Sequence, residues 1–503
     1  MEFINGNTGN LILLLTTILS LGFSVFFLRK SKHRLSLLLL ICAGLLLRII
    51  STSDSYLHPH DEKYHALVAK NLIEHPLKPT LYENPIHKID YTDWSCNHVW
   101  LHKQPLPLWT MAASIYIFGN NVFAVRFPSI ILSCLAIWLI FQISLFFFKN
   151  DPKRTTAWLA AFLMATNGLI LELTGGKVAT DHYDIHFMFF ILLGIYFSTK
   201  YVISEKPIYS LFIGISIGFA VLTKWLPALI VIPIYLLIAV DSKKFRKSEL
   251  FLNLLVITAI ATVVFLPWQL YIHSQFPAEA SYTASYNIKH FTEVLDNQTG
   301  PFWYYLARIG TNYGELVYLP LIFLIIKSLK NKANFKLYAL LIWIIIPIVF
   351  FSIAKTKMQA YILFVAPALF LITAWFSTYL TDKAVDGKHK FINFALAILL
   401  IVLPIRYSVE RMKLFSAENK NPQWVKELKE LNKDKIPENT LIFNHPYPIE
   451  AMFYTDCTAY SSLPSADTLS KYYNEGYNII IFNQGNVPQD ILKDKNYKIF
   501  GHK

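Results

Sequence analysis

Hydrophobic residues in this chain come in long unbroken blocks, not at the spacing of an amphipathic helix or the alternation of a half-buried strand. Blocks at 11–28, 35–50, 123–148, 156–173 and 251–267 each approach the ~20 residues that cross a bilayer core. Further blocks fall near 185–203, 208–223, 226–240, 313–326, 336–353, 360–380 and 390–406. A helix that is apolar on every side over such a length has no wet face, so lipid is its natural surrounding. The pattern predicts an all-α polytopic membrane protein with about 12 transmembrane helices. The residues ahead of the first block hold no Lys or Arg, and no small-residue cleavage pattern follows it. That block is therefore expected to stay as an anchor and not to be a cleaved signal peptide.

The pattern changes character in two places. Residues 52–120 form a long polar loop, and a polar tail follows residue 406. In the tail an amphipathic helix starts at Gln423, 440–443 and 478–482 read as short buried strands, and 465–475 reads as a helix between them. Strand–helix–strand order points to a small α/β domain of roughly 80 residues, near the lower limit for independent folding. The expected organisation is an extra N-terminal helix and basic loop at 1–34, a membrane domain at 35–406 with its first loop at 52–120, and an α/β domain at 407–503.

Composition agrees with this reading: 54% of residues are hydrophobic and 16% charged, against about 25% charged in soluble domains. The net charge of +13 sits largely in short basic connections at 29–34, 149–154, 243–247, 327–336 and 383–390. These alternate along the chain, so the positive-inside rule places them in the cytoplasm and puts both termini, the loop 52–120 and the tail outside. The charge is thus topological. Nucleic acid is not an expected partner, because the aromatic residues lie in the spans and not among the basic clusters. Of the four cysteines, Cys42 and Cys134 lie in spans as packing residues. Cys96 and Cys457 fall outside, where a disulfide forms only if the fold brings them within reach.

Ionisable residues against the spans are the candidates for chemistry. Asp61 and Glu62 open the first loop, although an acidic pair also suits a solvated first helical turn. Lys103 closes that loop. Asp181 follows Gly175 and Gly176 in a short turn, and Lys224 is an isolated cation between two apolar blocks, where snorkelling is the plain alternative.

Taken in order, these residues resemble a family. The series runs Asp61-Glu62, Lys103 with a proline and an aromatic after it, Val125-Arg126-Phe127-Pro128-Ser129, and Gly176-Lys177 with Asp181. It continues through Lys224 ahead of Pro227, Pro267-Trp268, Pro301-Phe302-Trp303-Tyr304-Tyr305-Leu306, and Phe351-Ser352-Ile353-Ala354-Lys355-Thr356-Lys357. Over about 35–380 this is similar to the GT-C membrane glycosyltransferases of the bacterial protein O-mannosyltransferase and lipid A aminoarabinose transferase superfamily.

The resemblance implies a polyprenyl-phosphate-linked sugar as donor and a lipid, glycan or protein as acceptor. It also implies a bacterial inner membrane with the reaction at its periplasmic face. Polyprenyl phosphate is a good leaving group, which leaves acceptor activation and phosphate stabilisation to the protein. By resemblance Asp61 is the general base, with Glu62 and Asp181 as acidic partners, and Lys103 and Lys224 hold the phosphate. A single displacement would invert the anomeric carbon.

The sequence departs from aminoarabinose transferases after the acidic pair. Tyr64 and His65 stand where a basic residue and a tyrosine are typical, so one phosphate cation is either missing or replaced by Lys63. His102 stands where an acidic residue is common. No cofactor is certain, and a divalent metal enters only through His102 with a second histidine such as His290. These differences argue against specific assignment to aminoarabinose transfer to lipid A. A flippase or transporter for lipid-linked sugars is the rival class, for which paired broken helices and internal repeats would speak. A glycan ligase would share the fold.

Overall fold

The computed structural model describes residues 7–86, 90–149, 151–386, 389–413, 420–433, 436–437 and 439–501, so the first six residues of the leader 1–10 lie outside it. Among these residues eight helices are long and apolar enough to cross a membrane, or nine if a bent pair counts as one span. The bent pair is Thr155–Thr166 and Gly168–Thr174, which meet at 47°. Asn167 makes the bend, extended at φ −65° and ψ 125°, with its side chain accepting the N–H of Ile170 as an N-cap.

Three expected spans are corrected by the structure. The blocks at 208–223 and 226–240 fall on shorter apolar elements, Ile208–Lys224 and Leu226–Ser242. Trp225 separates them with a left-handed φ of 64°, and a 3-10 turn at Leu226–Ile230 carries Pro227. The block at 313–326 starts late, because Gly314 at φ 99° ends the helix Tyr304–Tyr313 and a short turn precedes Tyr318–Lys330.

The chain divides into two compact units. The first holds residues 7–53, 103–107 and 128–413 and contains the membrane-spanning helices apart from the first turn and a half of Val122–Phe147. Its core is large and aromatic, with Trp343, Tyr235, Tyr305, Phe187 and Phe364 closed to solvent. Helices Ile208–Lys224 and Lys247–Gln275 pack at close range through a glycine pair. A Cβ on Gly214 would lie 2.8 Å from the Ile257 carbonyl oxygen, and one on Gly218 would lie 2.5 Å from Val264 Cβ. Four-residue spacing of small residues is the usual device for such contact between apolar helices, which lack a hydrophobic drive towards one another in lipid. Arg48 is a fully buried cation here. It donates to Ser133 Oγ at 2.7 Å, the Gly44 carbonyl at 2.9 Å and the Ala165 carbonyl at 3.1 Å, so its charge is solvated by fixed dipoles.

The second unit holds 54–102, 108–127 and the tail residues from 420 onward, so first loop and tail share one folded body. The tail carries a four-stranded sheet of β1 (Thr440–Phe443), β2 (Thr458–Ala459), β3 (Asn478–Phe482) and β4 (Tyr497–Phe500). The strands are parallel in the order β2-β1-β3-β4, with Ile442 opposite Ile480 and Ile480 opposite Lys498. Leu441, Phe443, Ile479 and Ile481 pack with Leu469 and Tyr472 of the helix Ala466–Asn474. The α/β reading is borne out at the strands and helix expected. Two short strands join them, and the helix Pro448–Tyr454 lies between β1 and β2.

The fold is therefore that of an all-α polytopic membrane protein with a small C-terminal α/β domain, as the hydrophobic pattern implied. Cys96 and Cys457 both belong to the second unit, and both are free thiols.

Candidate active site

Two polar constellations hold the residues singled out by the sequence, one in each unit. In the first unit the helix Asp181–Ser204 begins from a turn of unusual backbone. Gly176 at φ 71° is followed by Thr180 at φ 67° and Asp181 at φ 21°. Left-handed conformations at two successive non-glycine residues cost about 1–3 kcal/mol each and persist only where surrounding structure enforces them. Asp181 is fully buried, and its Oδ1 accepts the N–H of His182. His182 shares a hydrogen bond of 2.8 Å with Ser129 Oγ, and its carbonyl meets His186 Nδ1 at 2.7 Å.

One turn further on, Asp184 accepts from Thr180 Oγ1 and forms an ion pair with Lys224. Lys224 ends the helix Ile208–Lys224, where the negative end of the helix dipole favours a cation. Its ammonium also rests 4.5 Å from the ring centroid of Tyr361, and its side chain keeps 20% of its surface exposed. Snorkelling accounts for neither contact. Lys103 belongs to this unit and acts electrostatically on both Asp184 and His290. Its neighbour Gln104 accepts from Gln269 at 3.0 Å and from Tyr183 through its carbonyl at 2.8 Å, which fixes the backbone beside the lysine. Burial holds the His290 imidazole below its ordinary range, and the two lysines push the same way.

An apolar cavity of about 410 Å³ has Leu226, two residues after Lys224, in its wall. Leu226, Pro227, Ile230, Phe351 and Phe364 line it. Phe351 in turn packs against Tyr361 at 5.5 Å between centroids, the ring on which Lys224 rests. A cation and an oily cleft are thus coupled through two aromatic rings.

In the second unit Asp61 opens the helix Asp61–Asn71 and is partly exposed. Glu62 beside it is fully buried. Arg126 donates to both Glu62 oxygens, from Nε at 2.6 Å and Nη2 at 2.8 Å, and to the Asp54 and Tyr56 carbonyls at 2.7 and 2.8 Å. The His58 N–H adds a bond of 2.7 Å to Glu62. Glu62 is closed in, its carboxylate held by these three hydrogen bonds. Lys63 pairs with Glu450 at 3.6 Å, so its ammonium faces a carboxylate that sequence reasoning did not connect to it. Tyr64 stands edge-on to Trp94 at 5.0 Å, and burial, with Glu450 next, pushes its hydroxyl up to about 12. His102 stacks flat on Trp94 at 4.6 Å and meets Trp100 edge-on at 5.6 Å. Among the described residues no group of three or more His, Cys, Asp or Glu is placed to hold a metal ion, so the donor set proposed around His102 and His290 is not completed to a three-ligand site.

Sequence reasoning missed the parts played by Arg126 and Glu450. It marked Asp184 beside Asp181 as a candidate carboxylate but did not pair it with Lys224. Arg126 stood in a quoted motif without a role. Glu450 lies hundreds of positions from Lys63, and no local signal joins them.

Fold and constellations together define a polytopic membrane protein with ionisable residues held beside its spans. Residues 102–268 match the family model described as dolichyl-phosphate-mannose-protein mannosyltransferase. The chain is 28% identical over 301 residues to an undecaprenyl phosphate-alpha-4-amino-4-deoxy-L-arabinose arabinosyl transferase of Pectobacterium carotovorum, covering 57% of this chain and 52% of that one. It is 25% identical over 364 residues to the corresponding protein of Pectobacterium atrosepticum, covering 69% and 60%. The chain thus spans about half to three fifths of the length of the curated relatives it matches. The fold matches that of ArnT from Cupriavidus metallidurans bound to undecaprenyl phosphate, with a TM-score of 0.59, 14% identity and 87% of each chain covered. It also matches an archaeal oligosaccharyltransferase, AglB from Archaeoglobus fulgidus in complex with an inhibitory peptide and a dolichol-phosphate. There the TM-score is 0.57 and the identity 16%, over 84% of this chain and 64% of the other. The expected resemblance to this superfamily of GT-C glycosyltransferases is borne out.

Proposed function

We propose that this protein is an inverting glycosyltransferase that moves a sugar from a polyprenyl-phosphate donor to a lipid, glycan or protein acceptor. The observation that carries the reading is the coupling of Lys224 to the apolar cavity through Tyr361 and Phe351. A polyprenyl phosphate needs a cation for its head and an oily cleft for its first isoprene units, next to one another. The relatives named as undecaprenyl phosphate aminoarabinose transferases, and the neighbours bound to undecaprenyl phosphate and dolichol-phosphate, support the same donor class.

In the reaction Asp61 takes the acceptor hydroxyl proton as general base. The acceptor oxygen bonds to the anomeric carbon from the face opposite the phosphate. The carbon–oxygen bond to phosphate breaks, and polyprenyl phosphate leaves with the electron pair. Lys224 and Lys103 stabilise the charge that grows on it. Asp184 keeps Lys224 charged and in place before the donor arrives, and Asp181 is the second acidic group of the reaction. The chain works in a bacterial inner membrane with its chemistry on the periplasmic side, among membrane lipids and without nucleic acid. The departures at Tyr64, His65 and His102 leave the sugar and acceptor open beyond that class.

Purified protein in liposomes, given a panel of undecaprenyl-phosphate pentoses and hexoses, tests the proposal. Release of undecaprenyl phosphate together with a glycosylated acceptor is the expected result. Donor that crosses the bilayer chemically intact overturns it in favour of a flippase.

A further inference from the structure

The helix Asp61–Asn71 is short, and its N-cap residue His60 makes no side-chain capping bond. A helix of three turns without a cap has little stability of its own. Two lysines on it, Lys63 and Lys70, are seven residues apart, which places them on one face two turns from each other. Both reach the tail. Lys63 faces Glu450 at 3.6 Å, with the lysine side chain 17% exposed and the glutamate 2%. Lys70 donates to the carbonyls of Met452 at 2.8 Å, Phe453 at 3.3 Å and Thr455 at 2.6 Å, and pairs with Asp456 at 3.0 Å.

Those carbonyls close the helix Pro448–Tyr454, whose last C=O groups have no partner within the helix itself. Asn120 Nδ2 supplies another donor to Phe453 at 2.5 Å. Ser55, ahead of the helix, is held to the tail as well: its N–H donates to the Lys420 carbonyl at 2.9 Å, and its Oγ to Asn421 at 3.0 Å. Glu450 is 1% exposed, and its Oε2 makes no hydrogen bond in the structure. Such a carboxylate is costly to bury, and the cost is offset first by Lys63 and then by its own backbone N–H in the first turn of the helix. A tail serving merely as a surface appendage has no use for it.

We infer that Glu450 is a positioning residue for the proposed transfer reaction: through Lys63 the C-terminal domain fixes the first turn of the helix that carries Asp61. Lys63 is accordingly a tether, and the phosphate role expected for it passes to Lys103 and Lys224. Glu62 on Arg126 and Lys63 on Glu450 lock the two residues that follow Asp61, which sets the direction of its carboxylate. Lys70 holds the far end of the same helix. The inference rests on the glycosyltransferase reading for its catalytic consequence, but the tether itself does not.

The test uses the full-length protein in nanodiscs, with Glu450→Gln and the exchanged pair Lys63→Glu/Glu450→Lys. Hydrogen exchange of amides 62–71 is read alongside turnover of the undecaprenyl-phosphate sugar that the wild type accepts. Glu450→Gln is expected to speed exchange in that helix and to lower kcat about 10²-fold, the scale of a reacting group displaced by about 1 Å, with the donor KM unchanged. The exchanged pair is expected to restore both in part. Unchanged exchange, unchanged kcat, or a loss confined to donor KM overturns the inference. Should Glu450→Gln fail to fold, the exchanged pair decides alone, since folded protein with exchange and turnover close to those of the wild type supports the pairing and folded protein with fast exchange in that helix and turnover about 10²-fold down overturns it. A wild type that cleaves no donor sinks the transferase reading instead, while the exchange measurement still decides the tether.

Discussion

Arg126 and Glu62 exchange two charge-assisted hydrogen bonds, of 2.6 and 2.8 Å, with both side chains fully closed to solvent. Burial of this kind makes the pair costly to break, because the surviving partner is left charged in a low-dielectric site. Glu62→Gln and Arg126→Met are each expected to destabilise the protein by about 3–5 kcal/mol, seen as a loss of folded yield and a lower Tm. A Glu62→Gln variant that keeps its wild-type Tm but loses all turnover would restore a reactive role to Glu62.

Asp61 behaves differently. It is partly exposed at the first position of its helix, so its carboxylate is partly solvated and its removal is expected to leave the helix in place. Asp61→Asn is expected to lower transfer about 10²–10⁴-fold, the usual cost of losing a general base, with Tm and folded yield preserved. Near-normal turnover rules the role out.

Lys224 and Asp184 are coupled, and a double-mutant cycle separates structure from chemistry. Lys224→Met alone strands a buried carboxylate and is expected to lower both stability and turnover. Adding Asp184→Asn is expected to recover the stability, while transfer stays about 10²–10³-fold below wild type because the donor to the leaving phosphate is gone. Recovery of turnover together with stability would make the pair purely structural.

His445, beside the carboxyl end of β1, is 2% exposed, and burial lowers its imidazole to about 4 from 6.5. The folded form therefore binds this proton less readily than the unfolded chain. The stability it contributes is present above pH 6.5 and is lost as the pH falls from 6.5 towards 4, by about 3 kcal/mol in all. Proteolysis of the tail is expected to accelerate over that window, and His445→Phe to flatten the dependence. An unchanged pH profile in the variant counts against it.

The basic connections predict the topology. In a cysteine-free background, single cysteines within 243–247 are expected to be shielded from membrane-impermeant reagents in intact cells. Cysteines at 91 or beyond 420 are expected to label. A tail protected from the outside reagent reverses the whole orientation.

The sequence by itself determined that the chain lives in a membrane, because hydrophobicity sustained over about 20 residues is a local property that no packing arrangement can hide. It also determined the two longer strands of the tail, whose apolar runs fall at Thr440–Phe443 and Asn478–Phe482. Asp61, Lys103, Asp181 and Lys224 were legible as candidates, since ionisable groups beside apolar spans stand out against their neighbours. Only the tertiary structure decided what each of them touches. Lys224 meets Asp184 forty positions earlier, Arg126 meets Glu62 sixty-four positions earlier, and Lys63 meets Glu450 at the far end of the chain. An ion pair is chosen by proximity and burial in the folded state, and neither is written in local periodicity. The same reason explains why residues 54–102 and the tail form one folded unit although the sequence separates them by the membrane domain.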